Sequence, residues 1–156
     1  MSVGNIMKID RTLLKTGIPL IDEQHDAYFT LVEQLLGICQ REDVTSPTLE
    51  SELDKVLAYA VDHFDAEEHL MRSADYPYYE QHLAKHNQFR EQVDEFYAGL
   101  RSERPTQAYT TRLTEWLIHW ITHQIGTDDQ KLAAYLKATK QLAPGPARKT
   151  EAVFVP

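Results

Sequence analysis

Five histidines and two carboxylates stand along this chain at spacings suited to metal ligation: His25, then His63 with Glu67, then His82 with His86, then His123 with Asp128. On an α-helix, residues four apart lie one turn above each other on one face. His63/Glu67 and His82/His86 therefore each present two donors in one direction. Imidazole nitrogen together with carboxylate oxygen suits a divalent transition metal. Seven donors exceed the four ligands of a structural zinc site and the three of a catalytic one, and they fill most of the coordination of two ions. The expectation is a dinuclear metal centre inside a helical bundle, with the two carboxylates each joining both metals through separate oxygens.

The donor types also speak to chemistry. Carboxylate-rich diiron bundles carry Glu-x-x-His pairs on two helices and favour oxygen activation or iron oxidation, and none of the candidates here forms such a pair. Neutral imidazoles leave iron with less ligand charge, which disfavours high-valent states and favours reversible chemistry. Iron is not the only metal these donors accept; manganese and zinc are open alternatives.

Four amphipathic helices must bring these residues together. The first runs from about Asp22 to Gln40, with Leu31, Leu35 and Ile38 at helical spacing. Thr45-Ser46-Pro47 is a start signal, a hydroxyl cap followed by proline in the first turn. The second helix buries Leu53, Val56, Leu57, Ala60, Phe64 and Leu70 or Met71, and breaks between Ser73 and Pro77. The third spans roughly Tyr79 to Arg101 over Leu83, Phe89, Val93, Phe96 and Leu100. Pro105 opens the fourth, which carries Leu113, Trp116, Leu117, Trp120 and Ile121 and continues past Gly126 to about Lys140 through Leu132 and Leu136. Long helices with short connections predict an all-α, up-down-up-down antiparallel four-helix bundle. An N-terminal arm (1–18) packs across it or against one end, the bundle fills 19–140, and a flexible tail (141–156) follows. The tail's apolar Val153-Phe154-Val155 reads as a frayed end, with a docking peptide as the alternative.

Composition narrows the function. The 156 residues carry 24 acidic and 16 basic side chains, a net charge of −8, which is not the footprint of a nucleic-acid binder or a polybasic membrane anchor. No apolar run approaches the roughly 20 residues that span a bilayer, and Met1 to Arg11 lacks the apolar stretch of a signal peptide. A single cysteine, Cys39, sits in an apolar run and reads as a buried inert thiol in a cytoplasmic protein. There is no glycine-rich phosphate loop and no Ser-His-Asp or Cys-His nucleophile pattern. Tyr76, Tyr78 and Tyr79 read as packing at the turn between the second and third helices.

From about Thr16 to Leu136 the chain resembles the hemerythrin family, specifically its single-domain bacteriohemerythrins. The resemblance is carried by Gly17-Ile18, Ile21-Asp22, Gln24-His25, the stretch His63-Phe64-Asp65-Ala66-Glu67-Glu68, Met71, Tyr76-Pro77, His82, His86, Phe89 and the closing His123 to Asp128. It implies a non-haem site of two iron ions, oxo- or hydroxo-bridged, binding O₂ reversibly for transport, storage or sensing. One iron would take His82, His86 and His123, and the other His25 and His63. Glu67 and Asp128 would bridge; Asp128 is chosen over Asp129 because its offset from His123 matches the family. The His25/His63 iron would keep an open position, where O₂ binds as hydroperoxide.

The resemblance implies an O₂-binding protein more than an enzyme. Two alternatives are a peroxidase or nitric-oxide-handling enzyme on the same site, and a redox- or O₂-responsive signalling module that meets a protein partner through its C-terminal tail. Tyr28, Phe64, His119, Trp120 and Gln124 are the candidate O₂-pocket residues. Three of them depart from the family as aligned: His119 where tryptophan is frequent, Gln124 after a ligand where isoleucine is usual, and Tyr28 where leucine is common. Inward-facing polar groups at Tyr28 and Gln124 would favour sensing or peroxide chemistry over stable storage. His69, two residues beyond Glu67, is expected on the surface.

Overall fold

The structure is a computed structural model that describes residues 8–100 and 104–142, with the side chains of 140–142 left aside. The expectations for the C-terminal tail lie outside the described residues, apart from its first two positions. The described chain is all-α: α1 (Pro19–Cys39), α2 (Ser46–Ser73), α3 (Tyr79–Gly99) and a fourth rod made of α4 (Gln107–Trp120), a π-helical segment (Ile121–Asp128) and α5 (Asp129–Leu142). The result is a four-helix bundle in which α1 packs against α2 and α4, and α2 against α3.

The ends follow from local chemistry. Thr45 caps α2 by accepting from the Thr48 amide, with Pro47 in the first turn. Thr106 does the same for α4 by accepting from the Tyr109 amide, one residue after the proline that breaks the chain. At the α2–α3 turn Asp75 holds φ at 51°, a left-handed conformation that aspartate tolerates and β-branched residues do not. Before α1, the Asp22 carboxylate accepts from the Thr16 amide (2.7 Å) and hydroxyl (2.7 Å) and from the Gly17 amide (3.2 Å). Gly17, at φ 79°, makes that turn possible. The segment before it carries a short 3₁₀ turn (Arg11–Leu14) and lies along α1, where Arg11 meets Glu33 at 3.1 Å. It also reaches the fourth rod, where the Gln130 amide donates to Leu14 O (2.9 Å).

Two apolar clusters fill the bundle, a large one built on Phe29, Val32, Leu53, Phe64, Phe89, Val93, Leu113 and Leu117, and a small one of Ile21, Met71, Tyr76, Leu132 and Leu136. Some inner faces differ from the sequence expectation. On α1 the buried apolar residues are Ile21, Tyr28, Phe29, Val32, Leu35 and Leu36, while Leu31 and Ile38 are half-buried. Leu57, Leu70, Leu83, Leu100 and Trp116 are half-buried as well, and Met71, not Leu70, takes the inner place. The helix turns successive residues about 100° apart, so the apolar stripe centres on the positions facing neighbouring rods and its flanks stay half-buried.

Every rod changes from one cluster to the other at the same level. α1 passes from Ile21 through His25 to Phe29, and α2 from Phe64 through Glu67 to Met71. α3 enters beside Tyr76 and passes His82 and His86 before Phe89, and the fourth rod goes from Ile125 through Asp129 to Leu132. A polar layer is thereby sealed between two apolar ones.

Candidate metal centre

That layer contains four histidines and two carboxylates: His25 from α1, His63 and Glu67 from α2, His82 and His86 from α3, and Asp129 from the first turn of α5. All six are buried, with Glu67 and His86 at 0 % exposure. Two donor groups are recognisable by distance, His25/His63/Glu67/Asp129 and Glu67/His82/His86.

The carboxylates divide their oxygens between the groups. Glu67 Oε1 lies 3.1 Å from His63 Nε2, and Glu67 Oε2 lies 3.1 Å from both His82 Nε2 and His86 Nε2. Asp129 Oδ2 lies 3.0 Å from His25 Nε2 and 3.7 Å from His63 Nε2, whereas Asp129 Oδ1 lies 3.2 Å from His82 Nε2. Each carboxylate thus directs one oxygen at a member of the His25/His63 pair and the other at a member of the His82/His86 pair.

Outer partners fix the rings. His63 Nδ1 is 2.8 Å from Gln24 Oε1, and His86 Nδ1 is 2.9 Å from Glu68 Oε1, which also accepts from Arg90 at 3.1 Å. Partners of this kind set the tautomer and orientation of a ligating imidazole. His86 is further held by the Phe64 ring, stacked at 4.0 Å and 12°. Gln24 and Glu68 were visible in the sequence only as part of the family stretch; nothing in their own spacing assigns them these roles.

Electrostatics knit the layer together. Burial opposes charge on His63, but Glu67 and Asp129 outweigh it and push its pKa up to about 10. His82 is likewise opposed by burial and pushed up to about 10 by Asp129 and Glu67. Burial raises the Glu67 carboxyl, but His63, His82 and His86 hold it well below the usual range. Asp129 is raised by burial and by Glu67, and the surrounding histidines lower it on balance. Glu68 is lowered because His86 and Arg90 outweigh its partial burial. Even so, His63 Nε2 and Glu67 Oε1, 3.1 Å apart, have no aligned hydrogen-bond partner among the described residues. Buried polar atoms are rarely left unsatisfied, and orphaned imidazole nitrogen and carboxylate oxygen in one layer fit a bound cation.

Two residues expected in the site stand elsewhere. His123 is exposed and Asp128 half-exposed, and both line an outward groove of about 320 Å³ with Trp116 and His119. His123 stacks on exposed His119, with ring centroids 4.1 Å apart. Their places inside are taken by Gln124 and Asp129, one residue further on. The correction has a physical cause. The π-helical segment has a wider turn than an α-helix, so residues five apart share a face. The pairs His123/Asp128 and Gln124/Asp129 both have that offset, and only the second is in phase with buried Ile121 and Ile125. The sequence signal was present: His123 has polar Thr127 and Gln130 one and two turns on and His119 one turn before.

The same shift arranges the residues expected to line a pocket. Tyr28, Phe64, Trp120 and Gln124 line a cavity of about 10 Å³ together with Ala60, His63, Ile125 and Asp129, close to the smallest space that admits one small molecule. His119 does not line it; Trp120 holds the inner position, and His119 faces the groove. Tyr28 (4 % exposed) and Gln124 (2 %) both point inward. His69 is exposed, as its spacing from Glu67 requires.

A four-helix bundle with an internal layer of histidines and shared carboxylates defines a non-haem metal-binding protein. The hemerythrin HHE cation binding domain matches residues 16–136, and the chain belongs to the hemerythrin family. It is 27% identical over 122 residues to the bacteriohemerythrin of Aquifex aeolicus (strain VF5), covering 78% of this chain and 92% of that protein. It is 29% identical over 125 residues to the bacteriohemerythrin of Stenotrophomonas maltophilia (strain R551-3), covering 80% and 78%. No helix among the described residues is long and apolar enough to cross a membrane.

Proposed function

We propose that this layer holds two iron ions and binds O₂ reversibly. His25 and His63 would hold one ion and His82 and His86 the other, with Glu67 and Asp129 shared between them. The observation that carries the reading is the division of both carboxylates: each directs one oxygen to either histidine pair. Family membership and the bacteriohemerythrin relatives support it. Two adjacent ferrous ions supply the two electrons that reversible O₂ binding draws on. The chain supplies the rest. Phe64, Trp120, Ile125 and Ala60 wall the small cavity beside His63 and keep bulk water out, while Gln24 and Glu68 hold imidazoles in place. The composition supports a cytoplasmic carrier, store or sensor.

A second reading, chemistry on peroxide or nitric oxide, is favoured by one observation. Tyr28 lines the cavity, its buried hydroxyl has no hydrogen-bond partner among the described residues, and burial raises its pKa, so it stays a proton donor.

The test is metal content together with the ultraviolet–visible spectrum of anaerobically reduced protein before and after air. About two irons per chain, with charge-transfer bands that appear in air and reverse under vacuum, are expected. Bands that decay irreversibly would move the assignment to the second reading, and absence of iron would overturn both.

A further inference from the structure

We infer that Gln124 is itself a metal ligand, giving its side-chain amide oxygen to the ion held by His82 and His86. The inference rests on the dimetal reading above and deepens it. Among the described residues no fifth histidine reaches the layer: His69, His119 and His123 are all exposed. The inner position on the fourth rod, five residues before Asp129 on the same face of the π-helical segment, belongs to Gln124.

Its geometry is that of a ligand without a cation. Gln124 Nε2 lies 3.0 Å from His82 Nε2 and 3.5 Å from Asp129 Oδ1, inside the donor layer, and Gln124 Oε1 is buried with no hydrogen-bond partner among the described residues. A half-turn about the terminal torsion, which is soft, exchanges the amide atoms. Oxygen then faces His82 Nε2 and Asp129 Oδ1, a set of acceptors that a cation between them would satisfy. A glutamine placed only to pack would not bury an unpartnered carbonyl at this point.

The chemistry predicts an uneven site. Each ion takes two imidazoles and shares two carboxylates, and one of them adds a neutral oxygen. Amide oxygen is a harder donor than imidazole and suits manganese relatively better, whereas imidazole suits iron. An imidazole at position 124 should therefore tighten the hold on iron at the His82/His86 position and shift preference away from manganese.

The experiment loads full-length protein anaerobically with ferrous iron and follows loss of each iron to a ferrous chelator, for the wild type, Gln124→His, Gln124→Ala and His123→Ala, with helicity checked by circular dichroism. Wild type should lose iron in two phases. Gln124→Ala should speed one phase about tenfold or more, Gln124→His should slow that phase and lower manganese-for-iron replacement, and His123→Ala should match wild type. Equal loss from wild type, Gln124→Ala and Gln124→His, or loss of one iron in His123→Ala, would overturn the inference. If Gln124→Ala does not fold, the Gln124→His and His123→Ala arms still decide. No iron in any variant would be failure of the dimetal reading, which this comparison separates from failure at Gln124.

Discussion

Gln124 and Asp129 are separated by five positions yet face the same buried layer, with Gln124 Nε2 3.5 Å from Asp129 Oδ1. On a regular α-helix such residues would point about 140° apart. The wider turn between Ile121 and Asp128 closes that angle, and it decides which aspartate and which neighbour of His123 look inward.

Asp129 and Asp128 should therefore respond differently to the same change. Asp129, 1 % exposed among His25, His63 and His82, loses its charge in Asp129→Asn, which removes one of the two carboxylates of the layer. Iron content should fall sharply, and the metal-free protein should lose about 3 kcal/mol in denaturant titration. Asp128→Asn should keep full iron content and stability. The reverse pattern would restore Asp128 to the site.

Glu68→Gln removes the charge that orients His86 through a 2.9 Å contact and that Arg90 supports. A roughly 10- to 100-fold loss of metal affinity is expected, with a near-native circular dichroism spectrum. Unchanged iron binding in competition titration would show that His86 is held by Phe64 stacking alone.

Tyr28→Phe keeps the ring and removes the only hydroxyl among the cavity-lining residues. If that hydroxyl donates a proton to reduced oxygen, irreversible oxidation after air exposure should slow several-fold while iron content stays the same. Identical decay in stopped-flow absorbance would remove Tyr28 from the chemistry and weaken the peroxide reading.

Cys39 offers a pH test away from the metal layer. Burial pushes its thiol from the ordinary 9.0 up to about 11, against a small lowering by Thr114. The sign follows directly: the folded protein favours the neutral thiol, so this contribution to stability is complete below pH 9 and lost as pH rises through 11. At pH 8 the folded thiol should be alkylated about 100-fold more slowly than in urea, since the thiolate is the nucleophile. Equal rates in both conditions would mean that Cys39 is freely exposed.

Much of this molecule was legible before any coordinates. Hydrophobic period and helix signals such as Thr45-Ser46-Pro47 and the Ser73–Pro77 break place the four rods, because helix period and proline chemistry are local properties of the chain. The pairs His63/Glu67 and His82/His86 were readable for the same reason: four residues on an α-helix always mean one face.

What the tertiary structure alone decided is the register of the last rod and its consequences. His123/Asp128 and Gln124/Asp129 have the same spacing, and spacing cannot choose between them once the helix departs from 3.6 residues per turn. The choice is made by packing: burying Trp120, Ile121 and Ile125 against Phe64 and Phe89 turns Gln124 and Asp129 inward and leaves His123 beside His119 in the groove. Long-range partners such as Gln24 for His63, 39 residues apart, are likewise set only when separate helices meet. The sequence determines which faces are apolar and which donors exist; which donors share one buried layer is a property of how four rods pack.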